Sequence, residues 1–319
     1  MDPRPSSPAR RDATAPSAGH AFVVINPVGG KSNPAEVRRI VEATFARAGW
    51  SVTFYETSGT DDYSRLIEGA VADGATLVVA AGGDGTISLV AGPLVGRGVP
   101  LAVLPVGTAN VFAQELGIPE DLPAAAELVV GRHALRQIDV MQIDAVVALL
   151  QVGVGLDSLM VRDTDRAAKR RFGRGAYLKT LWDHLRGHRA QRFTLVVDGE
   201  RLRPMAWQVL VANAGTLGLR PLRWGPNIAL DDGELDVCIV PGRTIATLAR
   251  RLRAVVARRL RGADLVLYRK ARRSVSITTD PPLPVQADGE IIGTTPVTIT
   301  LLPRALPVVA PAAEPPVES

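Results

Sequence analysis

Three short stretches of the chain place glycine beside polar side chains at the end of an apolar run. They are NPVGGKS from Asn26 to Ser32, GGDGT from Gly82 to Thr86, and PVGTAN from Pro105 to Asn110. Glycine lacks a Cβ, so backbone N–H groups can come close to a phosphate, and a helix starting there adds a favourable dipole. Strand-to-helix turns use glycine anyway, but three such loops with an embedded aspartate point to one polyphosphate site. Two acidic segments add further chemistry: ADGE, Ala287 to Glu290, and ALDDGELDV, Ala229 to Val237. In an extended backbone Asp288 and Glu290 share one side, because side chains alternate. The other reading of ADGE is an Asp-Gly hairpin turn, which is compatible with a catalytic carboxylate.

Standard motifs are excluded by spacing. GGKS fails the P-loop pattern because Ile25 stands where its first glycine is required, and GGDGTIS fails the dinucleotide fingerprint because Ser88 replaces the third glycine. No GxSxG elbow supports hydrolase chemistry. His184 and His188 are four apart, but Gly187 interrupts the helix and no third ligand is apparent, so they read as surface residues.

The elements that carry these loops follow from hydropathy. Ala21 to Asn26, Ser51 to Thr57, Thr76 to Ala81 and Pro100 to Pro105 read as strands. Pro34 to Ala48, Tyr63 to Asp73 and Ala109 to Leu116 read as helices. Alternating strands and helices predict a mostly parallel sheet covered on both faces, with ligands at the carboxyl ends of its strands. The second half, QIDVMQIDAVVALLQVG, RFTLVVDGE, AWQVLVANA, ELDVCIVPG, SVSITT and PVTITLL, reads as an antiparallel β-rich domain. Two helical insertions, about Asp163 to Arg186 and Thr244 to Arg261, interrupt it. The expected division is a disordered leader over 1–20, an α/β domain over 21–137, a β domain over 138–310 and a disordered tail over 311–319.

A chain of 319 residues with 46% hydrophobic and 22% charged residues can build full cores in two domains. The formal charge of +5 favours anionic partners. The lone Cys238, in LDVCIV, excludes an internal disulfide framework and reads as a buried, inert thiol. The leader has no signal-peptide core, and no run of about 18 apolar residues could span a membrane. The expected location is cytoplasmic, with any membrane contact peripheral.

NPVGGK, GGDGT, GTAN and ADGE, in this order and at these separations, resemble the diacylglycerol kinase catalytic-domain family, in particular the soluble bacterial lipid kinases related to sphingosine kinases. The resemblance covers about Ala21 to Ala310. It implies an α/β nucleotide domain like those of phosphofructokinases and NAD kinases, a C-terminal β-sandwich, and ATP bound in the cleft between them. It implies that Asn26, Pro27, Gly29, Gly30 and Lys31 form the first nucleotide loop and that Thr57 contacts ATP. Gly82, Gly83, Asp84, Gly85 and Thr86 would wrap the phosphates, with Thr108 completing the site and Asp84 holding Mg²⁺ or its waters. One of Asp288 and Glu290 would be the base for the lipid hydroxyl, Glu290 being favoured. The DDGELD segment is similar to one that holds a structural Mg²⁺ through Asp232 and the carbonyls of Ala229 and Glu234. Asp157, in VGVGLD, matches a family segment whose role stays open.

The chain departs from the family at Ser88 and Leu89, where Asn-Glu is common, and at Val111, where aspartate is common. The implied reaction is phosphoryl transfer from ATP to a lipid hydroxyl, most simply that of diacylglycerol. An NAD or sugar kinase, a kinase of sphingoid or other lipids, and a catalytically weakened lipid-binding module are the alternatives. Arg166, Lys169, Arg170, Arg171, Arg174 and Lys179 alternate with Phe172, Tyr177, Leu178, Leu181 and Trp182, a combination suited to an anionic lipid surface. The second insertion reads as an amphipathic helix docked on its own domain. No nucleic-acid module is present, and a homodimer is left open.

Overall fold

The computed structural model describes residues 19–28, 33–163, 190–216, 223–225, 227–242 and 266–312. Most of the leader and tail, residues 29–32 of the first glycine loop, and nearly all of both expected insertions lie outside the described residues, as do His184 and His188. The described chain forms two compact units, Met1–Ile138 with Ala305–Ser319 and Asp139–Arg304.

In the first unit the order is β1 (His20–Ile25), α1 (Pro34–Arg47), β2 (Ser51–Glu56), α2 (Tyr63–Ala72), β3 (Leu77–Gly82), α3 (Asp84–Ala91), β4 (Leu101–Pro105), α4 (Val111–Leu116) and α5 (Leu122–Val130). The strands pair in parallel as β2-β1-β3-β4. β3 is buried along its whole length, as a central strand covered on both faces must be. Helices α1, α2 and α5 start where short polar side chains satisfy one of their first free N–H groups. Asn33 accepts from Ala35, Asp62 from Arg65 and Asp121 from Ala124, at 3.0, 3.1 and 3.1 Å. Val37, Val41, Thr44 and Phe45 bury one face of α1 at helical spacing.

The second unit contains the second half of β5 (His133–Ile143), then β6 (Val146–Ala148), β7 (Gln151–Gly155), α6 (Leu156–Asp163), β8 (Gln191–Val197), β9 (Glu200–Leu202), β10 (Met205–Ala212), β11 (Leu235–Pro241) and β12 (Leu267–Ala271). It continues through β13 (Ser274–Thr279), β14 (Pro284–Ala287), β15 (Glu290–Thr294) and the first half of β16 (Val297–Pro311). One antiparallel sheet runs β15-β14-β7-β10-β11-β12, and a second joins β9, β8, β13 and β16. Alternate residues of both, among them Val152, Val209, Val237, Phe193, Ile277 and Ile299, meet in a single core. This is the antiparallel β-rich domain that the apolar runs predict, arranged as the β-sandwich that the resemblance implies. The outer face of β10–β11 is covered by Ile228 and Trp224, and Cys238 is buried there, its thiol pushed up to about 12 by burial. The thiol is buried, as expected.

Three sequence expectations need correction. The unit boundary falls after Ile138, and the chain crosses back within β16, where Val308 pairs in parallel with Leu101 of β4, so residues 305–310 belong with the α/β unit. The run from Gln137 to Gly153 is three strands, broken by the positive φ of Asp144 and by the Leu149–Leu150 segment. Helices α3 and α5 add to the three that hydropathy predicts for this unit. No helix among the described residues is long and apolar enough to cross a membrane.

Candidate active site

The glycine loops follow β1, β3 and β4, which are neighbours in one parallel sheet, so their carboxyl ends lie on one edge. Asn26 accepts the N–H of Val28 through Oδ1 at 3.0 Å and donates through Nδ2 to Thr86 Oγ1 at 2.8 Å. A Cβ on Gly107 would lie 2.4 Å from Gly83 Cα, and one on Gly82 would lie 2.6 Å from Thr86 Cβ. Gly107 thus lets two loops pack together, and Gly82 lets its own loop turn back on Thr86. A Cβ on Gly85 would meet nothing within 4 Å, so the space beside this glycine is open.

Asp84 begins α3 and accepts the N–H of Phe112, at the start of α4, at 2.9 Å. Burial raises its carboxyl above the usual range, and the N–H donors of Phe112 and Val111 pull the other way. Asn110 takes a left-handed conformation, φ 51°, and closes its loop by donating to the carbonyls of Pro105 and Gly107 at 3.0 and 3.1 Å. Thr57 is buried, its N–H bonded to Ile25 O, whereas Pro27 and Thr108 are exposed. Gly29, Gly30 and Lys31 lie outside the described residues.

In the second unit ADGE is a tight turn and not an extended strand. Asp288 and Gly289 have φ of 47° and 89°, and Ala287 pairs directly with Glu290. The alternation that would set Asp288 and Glu290 on one side therefore does not apply. Asp288 accepts the N–H groups of Leu149, Leu150 and Gln151 at 2.7, 3.0 and 2.9 Å, while Glu290 opens β15 on the exposed edge. Their surroundings give the two acids different work.

The DDGELD loop precedes β11. Asp232 Oδ1 accepts the N–H of Glu234 at 3.0 Å. Lys270 of β12, the cross-strand partner of Asp236, sets its Nζ 2.9 Å from Asp236, 3.1 Å from Glu234 and 3.7 Å from Asp232. Burial, with Glu234 and Asp236 adding to it, pushes the Asp232 carboxyl up to about 6 despite Lys270 and the Glu234 N–H. Among the described residues no group of three or more His, Cys, Asp or Glu is placed to hold a metal ion, so a cation here would rest on Asp232 and main-chain carbonyl oxygens, hard donors of the kind Mg²⁺ takes. The described cavity of about 520 Å³, between β2 and α2 and lined by His20, Tyr55 and Arg65, shares no residue with the loops or these acids.

These loops and this sandwich agree with known proteins. The diacylglycerol kinase catalytic domain matches residues 20–143, and the YegS C-terminal NAD kinase beta sandwich-like domain matches residues 150–310. The chain belongs to this family. The chain is 32% identical to a "Probable lipid kinase YegS-like" of Pseudomonas fluorescens, over 88% of this chain and 92% of that protein. It is 29% identical to a "Diacylglycerol kinase" of Bacillus subtilis, over 91% and 96%. A crystal structure of a diacylglycerol kinase from Bacillus anthracis shares the fold, with a TM-score of 0.74 at 24% identity over 92% and 97% of the two chains. The homologues indicate a lipid kinase.

Several residues that shape these loops and acids are not singled out by the sequence. Asn110 and Gly107 stood inside a recognised motif, and the tolerance of asparagine for left-handed backbone was the available signal. Asp139 is fully buried in β5, where its carboxylate accepts from Gly233 at 2.6 Å and Arg304 at 2.8 Å and so anchors the DDGELD loop. A charge inside the apolar run QIDVM was its only trace. Lys270 and Gln286 become visible only when strand pairing is known.

Proposed function

We propose that the chain is an ATP- and Mg²⁺-dependent lipid kinase that moves the γ-phosphoryl group of ATP to a lipid hydroxyl, in the first instance that of diacylglycerol, giving phosphatidic acid. The observation that carries this reading is the fixing of Asp84 between two glycine loops. Backbone N–H groups of Gly83 to Thr86 and the side chains of Asn26, Thr57, Lys31 and Thr108 are assigned to the nucleotide. Asp84 would hold Mg²⁺ or its waters at the phosphates, and Asp232 with the carbonyls of Ala229 and Glu234 a structural Mg²⁺. When bound, the ion supplies positive charge beside the phosphate oxygens.

Glu290 is assigned as the base. Asp288 already receives three N–H donors and holds the turn, while Glu290 leaves it at an exposed position. Glu290 takes the hydroxyl proton as the oxygen forms its bond to the γ-phosphorus. The bond to the β–γ bridging oxygen breaks and ADP leaves with that electron pair. The basic and aromatic residues between Arg162 and Arg192 are assigned to peripheral contact with an anionic membrane. The test is transfer of labelled γ-phosphate to diacylglycerol, monoacylglycerol, sphingosine, ceramide and NAD in mixed micelles. A labelled lipid identifies the acceptor; label on NAD alone would replace the lipid kinase reading by an NAD kinase.

A further inference from the structure

Asp157 is a carboxylate of the sandwich that none of the roles above uses, and two glycines make its place. Gly155 ends β7 at φ 122°, where a Cβ would lie 2.4 Å from Trp207 O. A Cβ on Gly153 would lie 2.0 Å from Asp157 Oδ2 and 2.7 Å from Gln286 Nε2. The spacing of VGVGLD thus clears room for a specific pair of side chains.

The pair has a fixed polarity. Gln286, 1% exposed, donates through Nε2 to Asp157 Oδ2 at 3.0 Å and accepts through Oε1 the N–H of Gly289 at 2.8 Å. Asp157 Oδ1 accepts the N–H of Ser158 at 2.5 Å, and the Asp157 N–H donates to Gln208 Oε1 at 2.9 Å. An ionised carboxylate only accepts, so it forces the amide nitrogen of Gln286 toward itself and the amide oxygen toward Gly289. Turning the amide over would set oxygen against oxygen at one end and N–H against N–H at the other.

We propose that Asp157 is a positioning residue: through the orientation of Gln286 it holds the Asp288–Gly289 turn, and with it the direction in which Glu290 leaves that turn. Its effect on turnover rests on Glu290 being the base; its effect on the turn does not. Asparagine at position 157 can present either edge of its amide, so Asp157→Asn releases Gln286 at nearly constant volume. Adding Gln286→Glu restores the geometry with reversed polarity. The introduced amide then donates to the introduced carboxylate, whose second oxygen still accepts the N–H of Gly289.

The experiment uses the full chain and two readouts. Without substrate, amide hydrogen exchange over residues 287–291 should speed about tenfold or more in Asp157→Asn and return to the wild-type rate in the double variant. With ATP and the lipid acceptor, kcat should fall about 10–100-fold in the single variant, with KM for ATP within about twofold, and recover in the double variant. Unchanged exchange in Asp157→Asn overturns the proposal whatever the activity does. Altered exchange with no recovery of kcat in a double variant that melts like the wild type also overturns it, because Asp157 then acts on the acceptor directly. If the wild type labels no lipid, the kinase reading fails and exchange alone decides the positioning role.

Discussion

The carboxylate of Asp84 accepts the backbone N–H of Phe112 at 2.9 Å, so the aspartate of one glycine loop is held by the helix that follows the next. The two loops also touch backbone to backbone at Gly83 and Gly107, which separates the packed glycine Gly107 from the open one, Gly85. Gly107→Ala should destabilise the chain by about 1–3 kcal/mol through overpacking, read as a lower midpoint in denaturant. Gly85→Ala should leave the midpoint unchanged or slightly higher, since alanine favours a helix, and should raise KM for ATP. Equal midpoints for both variants would contradict this division.

Asp288 and Glu290 should separate in the same way. Asp288→Ala leaves three N–H groups without their acceptor and should cost on the order of 3 kcal/mol. Glu290→Gln, at an exposed position, should shift stability by no more than about 0.5 kcal/mol while abolishing transfer. A Glu290→Gln enzyme with full kcat would remove its role as base.

Lys270 is the ammonium shared by Asp232, Glu234 and Asp236. With 41% of its side chain exposed, Lys270→Met should cost about 1–2 kcal/mol, less in high salt. Without ATP, Mg²⁺ should raise the melting temperature of this variant more than that of the wild type, because the loop then lacks one positive charge. No response to Mg²⁺ in either protein would argue against Asp232 as a metal ligand.

Asp157 gives a pH dependence of definite sign. Burial pushes its carboxyl up to about 6 from 3.8, partly opposed by hydrogen bonds from neighbouring groups. Above about pH 6 the folded chain carries the full cost of this buried charge, and the cost is relieved as pH falls through 6 toward 3.8. Asp157 should thus add stability, on the order of 3 kcal/mol, on acidification over that window, and Asp157→Asn should lack this gain. Turnover should move oppositely, falling below about pH 6 as the protonated acid ceases to orient Gln286. On the strands packed against α6, which are β7, β10, β14 and β15, Glu290 is the one ionisable side chain, so the stability comparison, though not that of turnover, includes Glu290→Gln.

Much of the first unit was legible because its buried strands end at glycines, and the apolar runs before GGDGT and PVGTAN leave little choice of element. Helix α5 is hidden in the sequence because LPAAAELVV is apolar almost throughout, so its one buried face, Leu122, Ala125, Ala126, Val129 and Val130, barely stands out, although Asp121 caps it. Residues 149–151 are fixed by Asp288, more than a hundred positions away, so no local pattern could break that run. The ADGE turn was readable from its Asp-Gly pair, and the extended reading lost to positive φ at both residues. The Asp157, Gln286 and Lys270 contacts depend on strand register, which the sequence does not state.

The most direct measurement is transfer of labelled γ-phosphate from Mg²⁺–ATP to diacylglycerol by the wild type and by Asp84→Asn, whose amide oxygen can still accept from Phe112. Labelled phosphatidic acid from the wild type, reduced at least about 100-fold in a variant with the same melting temperature, is the expected result. Undiminished transfer by Asp84→Asn, or label on NAD and on no lipid, would contradict the assignment.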